Sequence, residues 1–244
     1  MQVDLGGQWQ TLERDQHGTI AMQTVKAHGT RVRPFFSRDS AAIDPMLILA
    51  ETEHRIANEF ASAISSIEVI ARSCHGGARE VLTCAAARLR DHAQAHRALL
   101  PPIAADVLDL SAYLRQVCCA LTRASLAERG ITLSLDETPI TIDTWRAWRV
   151  GLILSELISN SVRHGVWPAA GGAIRVELTG SDFDVHCRVF DNGKGLKAYS
   201  RGNGTHIVDG LVEEIGGHIH REFARTGVTV ILTFPRFDPA AASL

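Results

Sequence analysis

From residue 49 onward, apolar positions recur at steps of three and four: Leu49, Ile56, Phe60, Ala63, Ile67, Ile70 and Cys74. An α-helix puts residues so spaced on one face, here with Glu53 interrupting the stripe. The HGG segment at 75–77 breaks the pattern. A second stripe follows through Leu82, Ala85, Leu89, His92, His96 and Leu99, and Pro101 and Pro102 stop it. Two helices joined by a short turn make an antiparallel hairpin. One hairpin buries its stripe poorly, whereas two copies packed as a four-helix bundle cover both seams, so a homodimer is expected.

Beyond the prolines the period changes. DLSAYLRQVCCALTRASLAERG predicts a helix ending at Gly130, and ITLSLD starts a strand. A long amphipathic helix over 145–164 is followed by alternating strands in IRVELTG and DVHCRVFDN, a helix in THIVDGLVEEIGG, and a closing hairpin of HIHREF with GVTVILTFP. Helices and mostly antiparallel strands of this kind segregate into a two-layer sandwich, so the fold class is α+β. Residues 1–40 carry no sustained period and read as a tail or a few weak strands, too few for a sensor domain. The expected division is tail 1–40, hairpin 41–100, α/β domain 105–237 and C-terminal tail 238–244.

Composition narrows the classes. With 244 residues, 45% hydrophobic and 21% charged, the chain has the profile of a folded protein with room for two small domains. A formal charge of -2 offers no basic field for nucleic acid. No apolar run is long enough to span a membrane and no signal peptide is visible, so a cytoplasmic protein is expected. The cysteines, Cys74, Cys84, Cys118, Cys119 and Cys187, lack metal-ligand spacing and read as reduced, packed thiols.

Candidate chemistry lies in three segments of the α/β region. In ELISNSVRHG, Glu156 and Asn160 stand four apart and share a helix face. In VFDNGKG a strand ends in Asp191, and Gly193 and Gly195 allow a tight turn. In RGNGTHIVDG, Gly202 and Gly204 precede a helix whose first amides suit phosphate oxygens, and Thr205 is placed to cap it.

In order and context these segments resemble the Asn-containing box and two glycine boxes of the Bergerat-type ATPases, the superfamily of gyrase, Hsp90, histidine kinases and MutL. The resemblance implies that Asn160 ligates Mg²⁺ on the ATP phosphates, that Arg163 supplies a counter-charge, and that Asp191 accepts a hydrogen bond from the adenine amino group. It implies that Glu156 positions water or metal, and that Gly193, Gly195, Gly202, Gly204 and Thr205 line the nucleotide. LKAYSR, between Gly195 and Gly202, would be a short lid, which favours the kinase branch; no phenylalanine-containing box is found between the glycine boxes.

The hairpin supplies the other half of the resemblance. ETEHRIANEF is similar to the phospho-acceptor box of the second histidine-kinase group, in which His-Arg is followed by Asn. His54 matches the acceptor, Asn58 lies one turn on to orient the imidazole or a hydrolytic water, and Glu53 is the nearest candidate base. His92 and His96, four apart on the second seam, read as packing residues or as tilted to solvent; His218 and His220 read as surface residues. The implied reaction is autophosphorylation of His54 by ATP, then transfer to an aspartate of a response regulator receiver domain, with a separate sensor protein as a further partner. Two rivals remain: a phosphotransfer relay or regulator phosphatase with an inactive ATP domain, and a serine kinase of the anti-sigma type, against which EHRIANEF argues.

Overall fold

A computed structural model describes residues 2–4, 9–14, 20–23, 45–101, 106–169, 171–194 and 203–237. The chain divides into two compact units, residues 1–48 and 49–244. Within the first, β1 (Gln2–Asp4), β2 (Trp9–Arg14) and β3 (Ile20–Gln23) form an antiparallel sheet in the order β1-β2-β3. The stretch read as a tail or weak strands thus contains a small sheet.

The hairpin is α1 (Pro45–Ser73) and α2 (Gly77–Ala98), joined through Gly76 at φ 62°. The covered side of α1 carries Glu53, Ile56, Ala57, Phe60, Ile64, Ile67, Glu68 and Ala71. This corrects the predicted stripe at two positions. Ala63 and Ile70 are exposed, and Ile64 and Ala71 take their places on either side of Ile67, on the face turned to α2. On α2, Ala86 and Ala95 are buried while His92 is exposed, so His92 is not a seam residue. Cys84 and Cys119 are also exposed, unlike the packed thiols expected; Cys118 and Cys187 are buried, and burial pushes both thiols up to about 12.

The α/β region begins with β4 (Val107–Asp109), paired antiparallel with β6 (Thr141–Asp143) in a short ribbon absent from the sequence reading. α3 (Leu110–Leu121) is capped by Asp109, whose carboxylate accepts from the Ser111 and Ala112 amides. The helix then widens into a π turn over Thr122–Leu126 and ends at Gly130, whose φ of 64° is a left-handed stop. The main sheet comprises β5 (Ile131–Glu137), β7 (Gly172–Gly180), β8 (Asp184–Asp191), β10 (Gly227–Pro235) and β9 (His218–Ala224), in that order. All pairings are antiparallel except β5 with β7, which the intervening helix α4 (Thr144–His164) makes parallel.

Strand alternation gives the sheet one apolar face. Ile174, Val176 and Leu178 of β7, Val185, Cys187 and Val189 of β8, and Val230, Leu232 and Phe234 of β10 pack against Leu114 and Val117 of α3, Val150, Ile153, Leu154 and Leu157 of α4, and Val208 and Val212 of α5 (Asn203–Glu214). Ala98 and Leu99, at the end of the hairpin, pack on the same core, and Trp148 of α4 donates its indole N–H to the Leu99 carbonyl at 2.9 Å. Arg88 pairs with Glu128 at 2.6 Å and Arg123 donates to Gln94 at 3.0 Å, tying α2 to the π-turn region. No helix among the described residues is long and apolar enough to cross a membrane.

Candidate functional site

The inner face of β8 runs Val185, Cys187, Val189 and then Asp191, so parity alone places the Asp191 carboxyl where the next core residue would sit. It is 3% exposed. A buried carboxylate needs donors. Here Oδ2 accepts from the Ser161 hydroxyl at 2.7 Å, and Oδ1 accepts from the Gly193 amide at 3.0 Å and the Val228 amide at 3.4 Å. Burial pushes the Asp191 pKa above the usual carboxylate value, and these three bonds oppose that shift by favouring the charged form.

Ser161 went unrecognised in the sequence reading, yet a signal existed. Val150, Ile153, Leu154, Leu157 and Ile158 form the buried stripe of α4, and the next position at helical spacing is a serine. Gly227 also escaped notice. It adopts φ 146°, and a Cβ there would collide with the Asp191 carbonyl oxygen, so the start of β10 can close on β8 only without a side chain.

The turn after Asp191 is held from two sides. Asn192 Oδ1 accepts from the Ala173 amide at 2.7 Å, binding it to the start of β7. Lys194 donates its amide to the Val166 carbonyl at 2.8 Å, binding it to the segment after α4. Gly193 is buried, and a Cβ there would press on Gly165 and the Asp191 carboxylate at 3.2 Å. The turn therefore brings bare backbone beside a buried carboxylate, a lining that suits the edge of a flat heterocycle.

Glu156 and Asn160 lie half-buried on α4, one turn apart. A Cβ on Gly204 would run into Glu156 Oε1, so the first turn of α5 lies directly against this side chain. Thr205 is buried within that first turn rather than capping the helix, since α5 begins at Asn203. Arg163 is exposed and donates to Ser159 Oγ at 3.0 Å. One surface thus gathers an amide oxygen, a carboxylate and the start of a helix beside the Asp191 cradle, donors suited to Mg²⁺ and phosphate oxygens. Gly195, Gly202 and the LKAYSR lid lie outside the described residues.

On the hairpin, His54 and Asn58 are both exposed on α1, and Arg55 pairs with Glu51 at 2.8 Å on the outer side. Glu53 is turned toward α2, with Oε2 3.5 Å from His96 Nε2. His218 and His220 are exposed on β9, and His220 faces Glu222 at 3.2 Å.

A helical hairpin leading into a two-layer domain with a buried, donor-ringed aspartate defines a two-part architecture, and comparison with known proteins identifies both parts. Residues 51–125 match the family described as "Histidine kinase", and residues 147–238 match the "Histidine kinase-, DNA gyrase B-, and HSP90-like ATPase" family. The chain belongs to the histidine kinase family, carrying its phospho-acceptor segment and its ATPase domain. It is 27% identical over 202 residues to blue-light-activated histidine kinase 2 of Erythrobacter litoralis, covering 77% of this chain and 56% of that protein. It is 26% identical over 207 residues to the sensor histidine kinase PdtaS of Mycobacterium tuberculosis, covering 81% and 41%. The chain thus spans less than two thirds of either relative.

Among solved structures, the histidine kinase domain of the Erythrobacter litoralis EL346 blue-light-activated kinase covers 73% of this chain and 96% of its own, with a TM-score of 0.53 at 18% identity. A bacterial phosphotransferase covers 79% and 97%, with a TM-score of 0.56 at 16% identity. These likenesses show the fold: a helical hairpin followed by a mixed α/β domain.

Proposed function

We propose that the chain is an ATP-dependent autokinase of a two-component system, in which His54 takes the γ-phosphoryl group of ATP and passes it to an aspartate of a response regulator receiver domain. The observation that carries this reading is the Asp191 cradle: a buried carboxylate with three donors at the end of β8, in an ATPase domain packed on a hairpin that leaves His54 exposed. The ring of donors favours the ionised carboxylate, the form best able to accept from an adenine amino group. Gly193, with Gly195, would line the base, and Gly202, Gly204 and Thr205 the phosphates. Asn160 would ligate the ion, Glu156 would orient it or a water, and Arg163 would balance phosphate charge. Mg²⁺, when bound, neutralises charge on the β- and γ-phosphates.

The transfer breaks the bond between the γ-phosphorus and its bridging oxygen and forms a bond from phosphorus to an imidazole nitrogen of His54, releasing ADP. Phosphohistidine then gives the group to a carboxylate of the receiver domain. The domain division at 41–100 and 105–237 belongs to the same reading. Dimerisation through the hairpin is supported by apolar side chains it leaves in solvent, Val69 at 60% exposure, Ile70 at 53% and Val81 at 69%. Stimulus input would come through another polypeptide or another part of a longer protein. The second reading is a phosphotransfer relay or regulator phosphatase with an inactive ATP domain, in which Asn58, exposed one turn from His54, would orient a hydrolytic water.

The test is His54→Gln in a labelling assay with ATP. The unaltered protein should acquire acid-labile, alkali-stable phosphate. The variant should bind ATP and keep its oligomeric state, yet take no label and transfer none. Label persisting in His54→Gln, or phosphate mapped to His92 or His96, would overturn the acceptor assignment.

A further inference from the structure

Glu68 of α1 and Arg90 of α2 pair across the margin of the hairpin, and inside the seam one layer is polar. There Glu53 Oε2 is buried, has no hydrogen-bond partner among the described residues, and lies 3.5 Å from His96 Nε2. The His96 ring also packs on Phe60, with ring centroids 6.2 Å apart. Glu53 and Phe60 stand two turns apart on α1, so His96 enters α1 as a knob between them, a carboxylate on one side and an aromatic ring on the other. The other charged and titratable groups of this layer, Glu51, His54, Arg55 and Glu59 on α1 and His92 and Arg97 on α2, are exposed. Arg55 is engaged by Glu51 on the outer side.

We propose that His96 is a positioning residue for phosphoryl transfer: by holding Glu53 against α2 it fixes the rotation of α1 that keeps the His54 ring on the open face. The proposal rests on reading His54 as the acceptor. Successive helix residues point about 100° apart, so a carboxylate drawn into the seam at Glu53 turns its neighbour His54 outward. A one-residue rotation of α1 would carry His54 toward α2 and take the Glu53 carboxylate away from His96. A polar layer inside an otherwise apolar helix seam is a known way to set register. Glu53 thereby has a partner on α2 in place of the base role its position in sequence suggests.

The test uses the full chain with His96→Leu, His96→Gln, Glu53→Leu and the double Glu53→Leu/His96→Leu variant, each checked for helicity and oligomeric state. His96→Leu should lower the kcat of His54 labelling about tenfold or more, the scale of a misplaced acceptor, while KM for ATP and nucleotide affinity stay unchanged. His96→Gln, which offers Glu53 an amide N–H at this position, should recover most of the rate. The double variant should be no slower than either Leu single, because the two side chains act as one unit. If His96→Leu fails to fold, Glu53→Leu breaks the pair from the other side, and His96→Gln should again retain the rate. Unchanged kcat in His96→Leu, a loss residing in KM, or multiplying losses in the double variant would overturn the proposal while leaving the kinase reading intact. An unaltered protein that takes no label on His54 would overturn both.

Discussion

Replacing Ser161 by alanine removes one of the three bonds holding the Asp191 carboxylate and leaves the backbone untouched. Its hydroxyl donates at 2.7 Å to Oδ2, while Oδ1 keeps the Gly193 and Val228 amides. A hydrogen bond to a charged group contributes about 1.5–3 kcal/mol and a neutral one about 0.5–1.5 kcal/mol, so the cost depends on whether Asp191 is ionised. Burial raises the Asp191 pKa in the folded protein, with Ser161 the largest opposing influence. A raised folded pKa means that the native state holds the proton more tightly. That contribution to stability is fully present below the unfolded aspartate value of about 3.9 and is lost as pH rises through the folded value. Without Ser161 the folded pKa climbs further, and the native state loses more on approach to neutral pH.

Urea unfolding of Ser161→Ala and the unaltered protein between about pH 4 and about pH 8 should therefore show a stability gap that widens by about 1 kcal/mol toward neutral pH. Nucleotide affinity at neutral pH should fall by about tenfold, equivalent to ~1.4 kcal/mol. A gap that is flat with pH, or one that narrows, would refute the assignment of this bond to an ionised Asp191. Unchanged nucleotide affinity would refute the placement of adenine on that carboxylate.

Asn160→Ala and Asp191→Ala should fold but lose ATP-dependent labelling, the first with weakened Mg²⁺ dependence of nucleotide binding and the second with weakened binding of adenosine itself; normal labelling by both would remove the nucleotide site from this surface. Gly227→Ala should destabilise the fold by about 3 kcal/mol or more in urea unfolding, because the added methyl meets a backbone carbonyl at a strained φ. Gly130→Ala, at φ 64° with nothing within 4 Å, should cost only about 1–2 kcal/mol. Light scattering at micromolar concentration should give a dimer that Val69→Glu with Ile70→Glu converts to monomer; a monomeric unaltered protein would remove the four-helix bundle.

Local periodicity determined most of the elements of this protein. Steps of three and four read out α1, α2 and α4, alternation read out β7, β8 and β10, and glycines and prolines marked their ends, because each signal lies within a few residues of chain. The order of the Asn-containing segment, DNGKG and GNGT was legible for the same reason, and it led to the family.

Other features depended on which elements meet. The α1 seam runs through Ile64 and Ala71 rather than Ala63 and Ile70, since α2 chooses the face and both rows are apolar enough to be buried. Ser161 became visible as the partner of Asp191 only when α4 crossed the end of β8, thirty residues away in sequence. The parallel pairing of β5 with β7 and the need for glycine at 227 likewise follow from the neighbours that the sheet brings together. The contact of Glu53 with His96, forty-three residues apart, was decided by the turn at Gly76, which sets α2 against α1 and which no pattern along the chain expresses.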